Sequence, residues 1–334
     1  MDDLTAVVDA LAAETGFSGV LRVDRGGGLV MAAAYGLADR ACGAPCTLDT
    51  QFGIASGTKG LTALTVMSLV EDGTLALDTA ARSLLADDLP EIDDDVTVGH
   101  LLTHRSGIGD YFDEDVFTDS TDYVLAVPVH QLVGTEDYVK ALGGHPTKFA
   151  AGERFSYCNG GYVVLALLAE RASQTPFDVL VHERVCAPAG MIDTAFLRSD
   201  ELPGRAARGY LFADGLRTNA FHLPLRGSGD GGLFTTAADV HALWAAVFAG
   251  RIVSTESVAA MVRPHSDVPE EGGRYGMGFW LHATSAAVEL HGGDAGVSFR
   301  SVLDPTTDTV HTVLANTTEG AWPVSRRLDE VLLA

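Results

Sequence analysis

The chain has 334 residues, 47% of them apolar and 20% charged. That is long enough for one large domain or two ordinary ones with real cores, and it excludes a disordered or fibrous chain. Asp and Glu total 45 against 22 Lys and Arg, a formal charge of −23, and an acidic surface of that size repels phosphate backbones and lipid anions, so neither a nucleic acid nor a membrane is the expected partner.

The N-terminal segment sets Leu4, Val7, Val8 and Leu11 at helical spacing and stops at Gly16. Its acids stand where a secretory leader carries Lys or Arg, and no run of about 18 apolar residues follows, so the expected location is cytoplasmic. FSGVLRV and GGLVMAAAYG read as a β-meander turning at Gly26-Gly27-Gly28. Ser56 to Asp72 is a helix closed by Gly73. From about residue 76 to 224 the pattern is mostly helical, with VTVGHLLTHRSG running into Gly107 and the nearly all-apolar GGYVVLALLAERAS read as a buried helix. TTAADVHALWAAVFAG opens on a Thr236…Asp239 pair that resembles a capping box. The C-terminal part returns to strands, YGMGFWLHA, AAVELHGG, VSFRSVLD and TVHTVLAN, before a terminal helix, VSRRLDEVLLA.

Strands at both ends with helices between predict an α/β (α+β) fold. One antiparallel sheet is assembled from residues 1–75 and 225–334, with its faces covered by the terminal helices. A mostly helical region, 76–224, is inserted, and the active site lies between the two.

Ser56-Gly57-Thr58-Lys59 is the first chemical signal. Residues three apart share a helix face, so Lys59 projects beside Ser56. A serine hydroxyl is a weak nucleophile until a neighbouring base takes its proton, and a lysine serves if burial or nearby positive charge lowers its pKa. The plain alternative is a helix-capping serine with a solvated lysine one turn on. The second signal is Tyr157-Cys158-Asn159, and the third is His291-Gly292-Gly293 at the end of VELHGG.

In this order and spacing the three resemble the motifs of the penicillin-recognising serine hydrolases. The closest branch in pattern is that of class C β-lactamases, DD-peptidases and family VIII esterases. LLTHRSG, PAGMIDTAF, GGLFTTAADVHAL and GGDAGVSF look like further segments of the same branch, so the resemblance runs from about residue 17 to 315. It implies a β-lactamase/transpeptidase-like fold and an acyl-enzyme on Ser56, with Lys59 and Tyr157 moving the proton. Which of the two is the base stays open. It also implies an oxyanion hole from the backbone N–H groups of Ser56 and Asp294, substrate lying along the strand at His291, Gly292 and Gly293, and Asn159 offering its amide to the acyl side. No cofactor or metal is implied. The substrate is a small molecule or peptide with an ester, amide or β-lactam bond. The alternative is a non-catalytic binding protein that keeps the fold.

Other signals are weaker. Gly227-Ser228-Gly229-Asp230-Gly231-Gly232 fits a dinucleotide fingerprint but lacks the βαβ context, and reads better as a Gly-rich active-site loop. His100 and His104 have metal-ligand spacing without a third ligand and are read as structural. Cys42 and Cys46 are read as free thiols, Cys158 as a packing residue, and the acidic runs Asp93–Asp95 and Asp113–Asp115 as solvated loops. No Gly-x-Ser-x-Gly elbow is present.

Overall fold

The computed structural model describes residues 2–332 except Asp115, Phe117 and Thr118. One end of the acidic run at Asp113–Asp115 and the last two residues of the expected terminal helix therefore lie outside the described residues. Helix α1 (Asp2–Thr15) leads into strands β1 (Gly19–Arg25) and β2 (Gly28–Tyr35). Helices α2 (Thr58–Glu71), α3 (Asn159–Ser173) and α4 (Ala237–Phe248) follow, separated by long stretches of loop and short helical turns. Strands β3 (Ser266–Val268), β4 (Gly273–Tyr275), β5 (Trp280–His282), β6 (Val288–Asp294), β7 (Val297–Asp304) and β8 (Thr309–Ala315) come next, and α5 (Ala321–Leu332) ends the chain.

All eight strands form one sheet in the order β2-β1-β8-β7-β6-β5-β4-β3, and each pairing is antiparallel. The expected α/β fold with a sheet built from both chain ends is what forms, because β1 pairs with β8 from Gly19↔Ala315 to Arg25↔Thr309. Side chains alternate between faces. Leu21, Val23 and Val313 therefore point to one face and pack with Val8 and Ala12 of α1 and Val324 and Leu328 of α5. Val20, Leu290, Phe299 and Leu314 point to the other and pack in the large core with α2, α3 and α4.

The sequence reading expected the terminal helices to cover the sheet's faces, but both lie on one face, where they pack together against Leu21, Val23 and Val313. YGMGFWLHA is likewise not one strand. Tyr275 pairs with Trp280 across a hairpin, and Gly278 turns it at φ +82. A Cβ at Gly276 would meet the Met261 carbonyl at 2.1 Å, and one at Gly278 would meet the Ala63 side chain at 2.3 Å, so the glycines permit a close approach that the alternation pattern hides. Thr236 caps α4 through the Asp239 amide (3.2 Å). Asp239 does not reach back to close a box; its carboxylate accepts instead from Asp193 N and Thr194 Oγ1.

Strand β5 pairs with β6 only at Val288 and Glu289. From Leu290 to Asp294 one edge of β6 has no strand partner among the described residues, and this free edge faces the site described next.

Leu328 is fully buried between α1, α5 and the sheet. Leu328→Ala should lower unfolding free energy by about 2–5 kcal/mol, the usual cost of a buried leucine truncation. Urea denaturation followed by circular dichroism reads this directly, and a change below about 1 kcal/mol would contradict the packing.

Candidate active site

Lys59 lies in the first turn of α2 with only 2% of its surface exposed. Its Nζ donates to Ser56 Oγ (2.9 Å), Asn159 Oδ1 (2.8 Å) and the Asp230 carbonyl (2.8 Å). Three donors meet three acceptors, which is the full capacity of an ammonium group. Burial pushes its pKa below the usual lysine value, while the carboxylates of Asp230, Glu114 and Asp110 pull it back up. Ser56 sits in a 3₁₀ turn, Ala55–Gly57, just ahead of the helix. Ala55 before it holds φ +43, a left-handed conformation that costs a non-glycine residue about 1–2 kcal/mol and is held here by its surroundings.

Tyr157 packs against the same pair, Ser56 and Lys59. Lys59 Nζ lies 4.9 Å from its ring centre. Burial raises its pKa well above 10, nearby carboxylates add to this, and a hydrogen bond with Ser56 opposes them. The Lys-Ser-Tyr cluster expected from sequence is thus brought together from residues about 100 positions apart in the chain.

Asn159 begins α3. Its Oδ1 serves Lys59, and its Nδ2 donates to the Phe112 carbonyl and to Glu114 Oε1, each at 3.0 Å. The amide expected to face the substrate therefore has both hydrogens engaged within the protein. Asp110 holds the same helix start: its carboxylate accepts from Asn159 N (2.6 Å) and Gly160 N (2.8 Å), an anion against a helix N-terminus. Burial nonetheless pushes its pKa up to about 6.

Gly292 faces Ser56, since a Cβ there would sit 2.5 Å from the Ser56 amide nitrogen and 2.3 Å from the Ile54 carbonyl oxygen. Ser56, Asn159, Asp230, Gly293 and Asp294 line one cleft, about 1300 Å³ and open to solvent. Its walls draw on both the sheet region and the inserted residues 76–224, whose described residues hold more loop than helix, unlike the mostly helical region expected from sequence. His291 is not in that lining. Its ring stacks on Trp280 at 5.0 Å, Trp280 stacks on Tyr157 at 6.0 Å, and His291 Nδ1 lies 2.9 Å from Glu289 Oε1. The indole of Trp280 thus stands between His291 and Tyr157.

Several residues here carry no local sequence signal. Asp110, Tyr111, Glu114 and Trp280 reach the site only through folding. Asp230 was visible as part of the Gly-rich loop; its carboxylate accepts from the Tyr111 hydroxyl. That loop opens no helix directly, because the Phe234–Thr235 strand intervenes. His100 closes a capping box with Thr97. His104 is fully buried and fixes the Tyr157 loop: its Nδ1 accepts from Cys158 N (3.1 Å) and its carbonyl from Ser156 N (2.9 Å). Accepting at Nδ1 requires the Nε2–H tautomer. Burial, helped by the charge on Lys59, holds its pKa well below 6.5. The rings of Tyr157, Tyr162 and Tyr275 surround it at 4.3, 4.8 and 4.8 Å.

Cys158 turns away from the cleft. It is buried, its Sγ accepts from Gly161 N (3.3 Å), and burial raises its thiol pKa. Cys42 is the exposed thiol of the four. In the folded protein a maleimide at pH 7 should label Cys42 and leave Cys158 untouched by peptide mapping; comparable labelling of Cys158 would contradict this placement.

A family model described as Beta-lactamase matches residues 4–334. The chain is 33% identical over 204 residues to the esterase EstB of Burkholderia gladioli, covering 59% of this chain and 52% of that protein. It is 30% identical over 290 residues to a D-aminopeptidase of Brucella anthropi, covering 83% of this chain and 52% of the relative. The matches thus span about half the length of these two curated relatives. A solved penicillin binding protein from Bacillus halodurans superposes with a TM-score of 0.91 at 34% identity, covering 97% of this chain and 100% of that one. The chain belongs to the β-lactamase family, in company with esterase, D-aminopeptidase and penicillin-binding relatives.

Proposed function

We propose that the protein is a serine hydrolase that cleaves an ester or amide bond through an acyl-enzyme on Ser56. The observation that carries this is Lys59 Nζ lying 2.9 Å from Ser56 Oγ in a dry setting that lowers the lysine pKa. Ser56 Oγ attacks the carbonyl carbon, and its proton passes to the Lys59–Tyr157 pair. The tetrahedral oxyanion is assigned to the backbone N–H groups of Ser56 and Asp294, a reading supported by Gly292, where a Cβ would sit 2.5 Å from the Ser56 amide nitrogen. The leaving group departs with a proton returned from the pair. Water then attacks the acyl carbonyl, the acid product leaves, and the proton goes back to Ser56 Oγ. Ester and amide bonds are supported by the esterase and D-aminopeptidase among the relatives. Substrate lying along the free edge of β6 is supported by the missing strand partner there.

A fluorophosphonate should add one label per chain, mapped by mass spectrometry to the peptide holding Ser56. An unlabelled Ser56, or full activity in Ser56→Ala, would sink this reading and favour a binding protein that keeps the fold. Cys158→Ala should retain more than about a tenth of kcat/KM, a barrier change under ~1.4 kcal/mol.

Lys59→Ala and Tyr157→Phe should each cost most of kcat, and the double variant little more, because both serve one proton transfer. Additive losses would mean independent roles. With the Lys59 pKa lowered from 10.5, its neutral form gains population as pH rises. The acylation rate should therefore climb with pH and level off below pH 10.5.

A further inference from the structure

Side chains alternate along a strand, so Asp294 points to the same face of β6 as Gly292, and Gly292 abuts the Ser56 amide. The Asp294 carboxyl therefore stands in the cleft wall on the side of the nucleophile. Among the described residues its carboxylate accepts a single hydrogen bond, from the amide of its neighbour Ala295 (2.7 Å), and makes no ion pair. The same wall holds a second carboxyl, Asp230, and is otherwise largely aromatic and aliphatic, with Phe112, Tyr123 and Leu223 among its members. The two basic side chains of the wall are turned to other partners, Arg208 to the Asp39 carboxylate (2.8 Å) and His222 Nε2 to the Thr121 carbonyl (3.0 Å).

We propose that Asp294 is a specificity residue that selects ligands carrying a protonated amine on an apolar or aromatic body. This rests on the acyl-enzyme reading above for its consequence in catalysis. A bare carboxylate beside the oxyanion position repels the negative charge that develops there, whereas a carboxylate paired with a ligand ammonium does not. A ligand carboxylate meets two acids and, among the described residues of the wall, basic side chains already turned to other partners, and is disfavoured.

The groups facing Asp294 are Asp230 from the Gly-rich loop, Glu114 and Tyr123 from the segment before α3, and Lys59 from α2. Burial pushes the Asp294 pKa up to about 7; Asp230 and Glu114 push the same way and Lys59 opposes them. The empty site is thus partly protonated at neutral pH, and the amine preference should grow as pH rises through that value. An alkylamine, with a pKa near 10, stays charged throughout.

The test uses the Ser56→Ala protein, which binds without turnover, and NMR titration with phenethylamine, its neutral N-acetyl derivative and 3-phenylpropanoate. At pH 8.5 phenethylamine should bind about tenfold more tightly than the N-acetyl compound, the range of a charge-assisted hydrogen bond. The ratio should shrink towards one at pH 5.5, and Asp294→Asn should remove it at both pH values. The pH series needs no Asp294 variant, so a variant that fails to fold does not spoil the test. A ratio near one at pH 8.5, no measurable amine binding, or tighter binding of 3-phenylpropanoate would overturn the proposal. Fluorophosphonate labelling of Ser56 in the unmodified chain is read separately. Labelling without amine preference sinks this inference alone, and amine preference without labelling sinks the hydrolase reading and leaves Asp294 a ligand-binding residue.

Discussion

The structure turns on keeping one lysine amine dry. Lys59 has no water shell to share its charge, and removing one partner of a buried ion typically costs about 3–5 kcal/mol. Its three acceptors therefore have to be delivered together, and they come from three separate pieces of chain: the turn at Ser56, the start of α3 at Asn159 and the Gly-rich loop at Asp230. Each piece is in turn fixed by something else. Asn159 is oriented by the Phe112 carbonyl and Glu114, the α3 backbone by Asp110, and the Asp230 side chain by Tyr111. Pre-organisation of the serine is a by-product of satisfying the lysine.

Tyr157 is held by a different means. A neutral histidine anchors its loop, through one ring nitrogen and its own carbonyl, and the Asp110 carboxylate holds the Asn159 amide just beyond it. The remaining ring nitrogen of His104 has no hydrogen-bond partner among the described residues, and three tyrosine rings surround the imidazole. A charged imidazole there would sit beside Lys59 with nothing to compensate it, so the low pKa of His104 and the burial of Lys59 support one another. On the outer side, Trp280 separates Tyr157 from His291. His291 leans on Glu289, which Arg300 binds along with Asp329 of α5. Strand β6 is thus tied through Glu289 and Arg300 to the terminal helix on the far face of the sheet.

Much of the fold could be read in the chain because local periodicity reports burial. The short apolar stretches GVLRV and VSFRSVLD, the apolar run of α3 and the 3.6-residue spacing of α1 each describe one element's environment. Strands at both ends required a sheet that joins the termini. Where the reading failed, at the hairpin hidden in YGMGFWLHA and at the faces taken by the terminal helices, the deciding contacts were non-local: Met261 against Gly276, Ala63 against Gly278, and the adjacency of β1 and β8.

The same division holds at the site. Ser56 and Lys59 were legible because one helical turn fixes their separation, and Gly292 because it stands in a His-Gly-Gly motif where glycine leaves room for a substrate; that it abuts the Ser56 amide emerged only on folding. The company they keep was decided by tertiary structure. Asp110, Glu114, Asp230 and Asp294 look in sequence like the solvated acids of a chain with a charge of −23. Folding desolvates Asp110, Asp230 and Asp294 and raises their pKa values. Desolvation and the field of neighbouring charges depend on distance through space, which residue spacing along a chain does not encode beyond a helical turn or a paired strand.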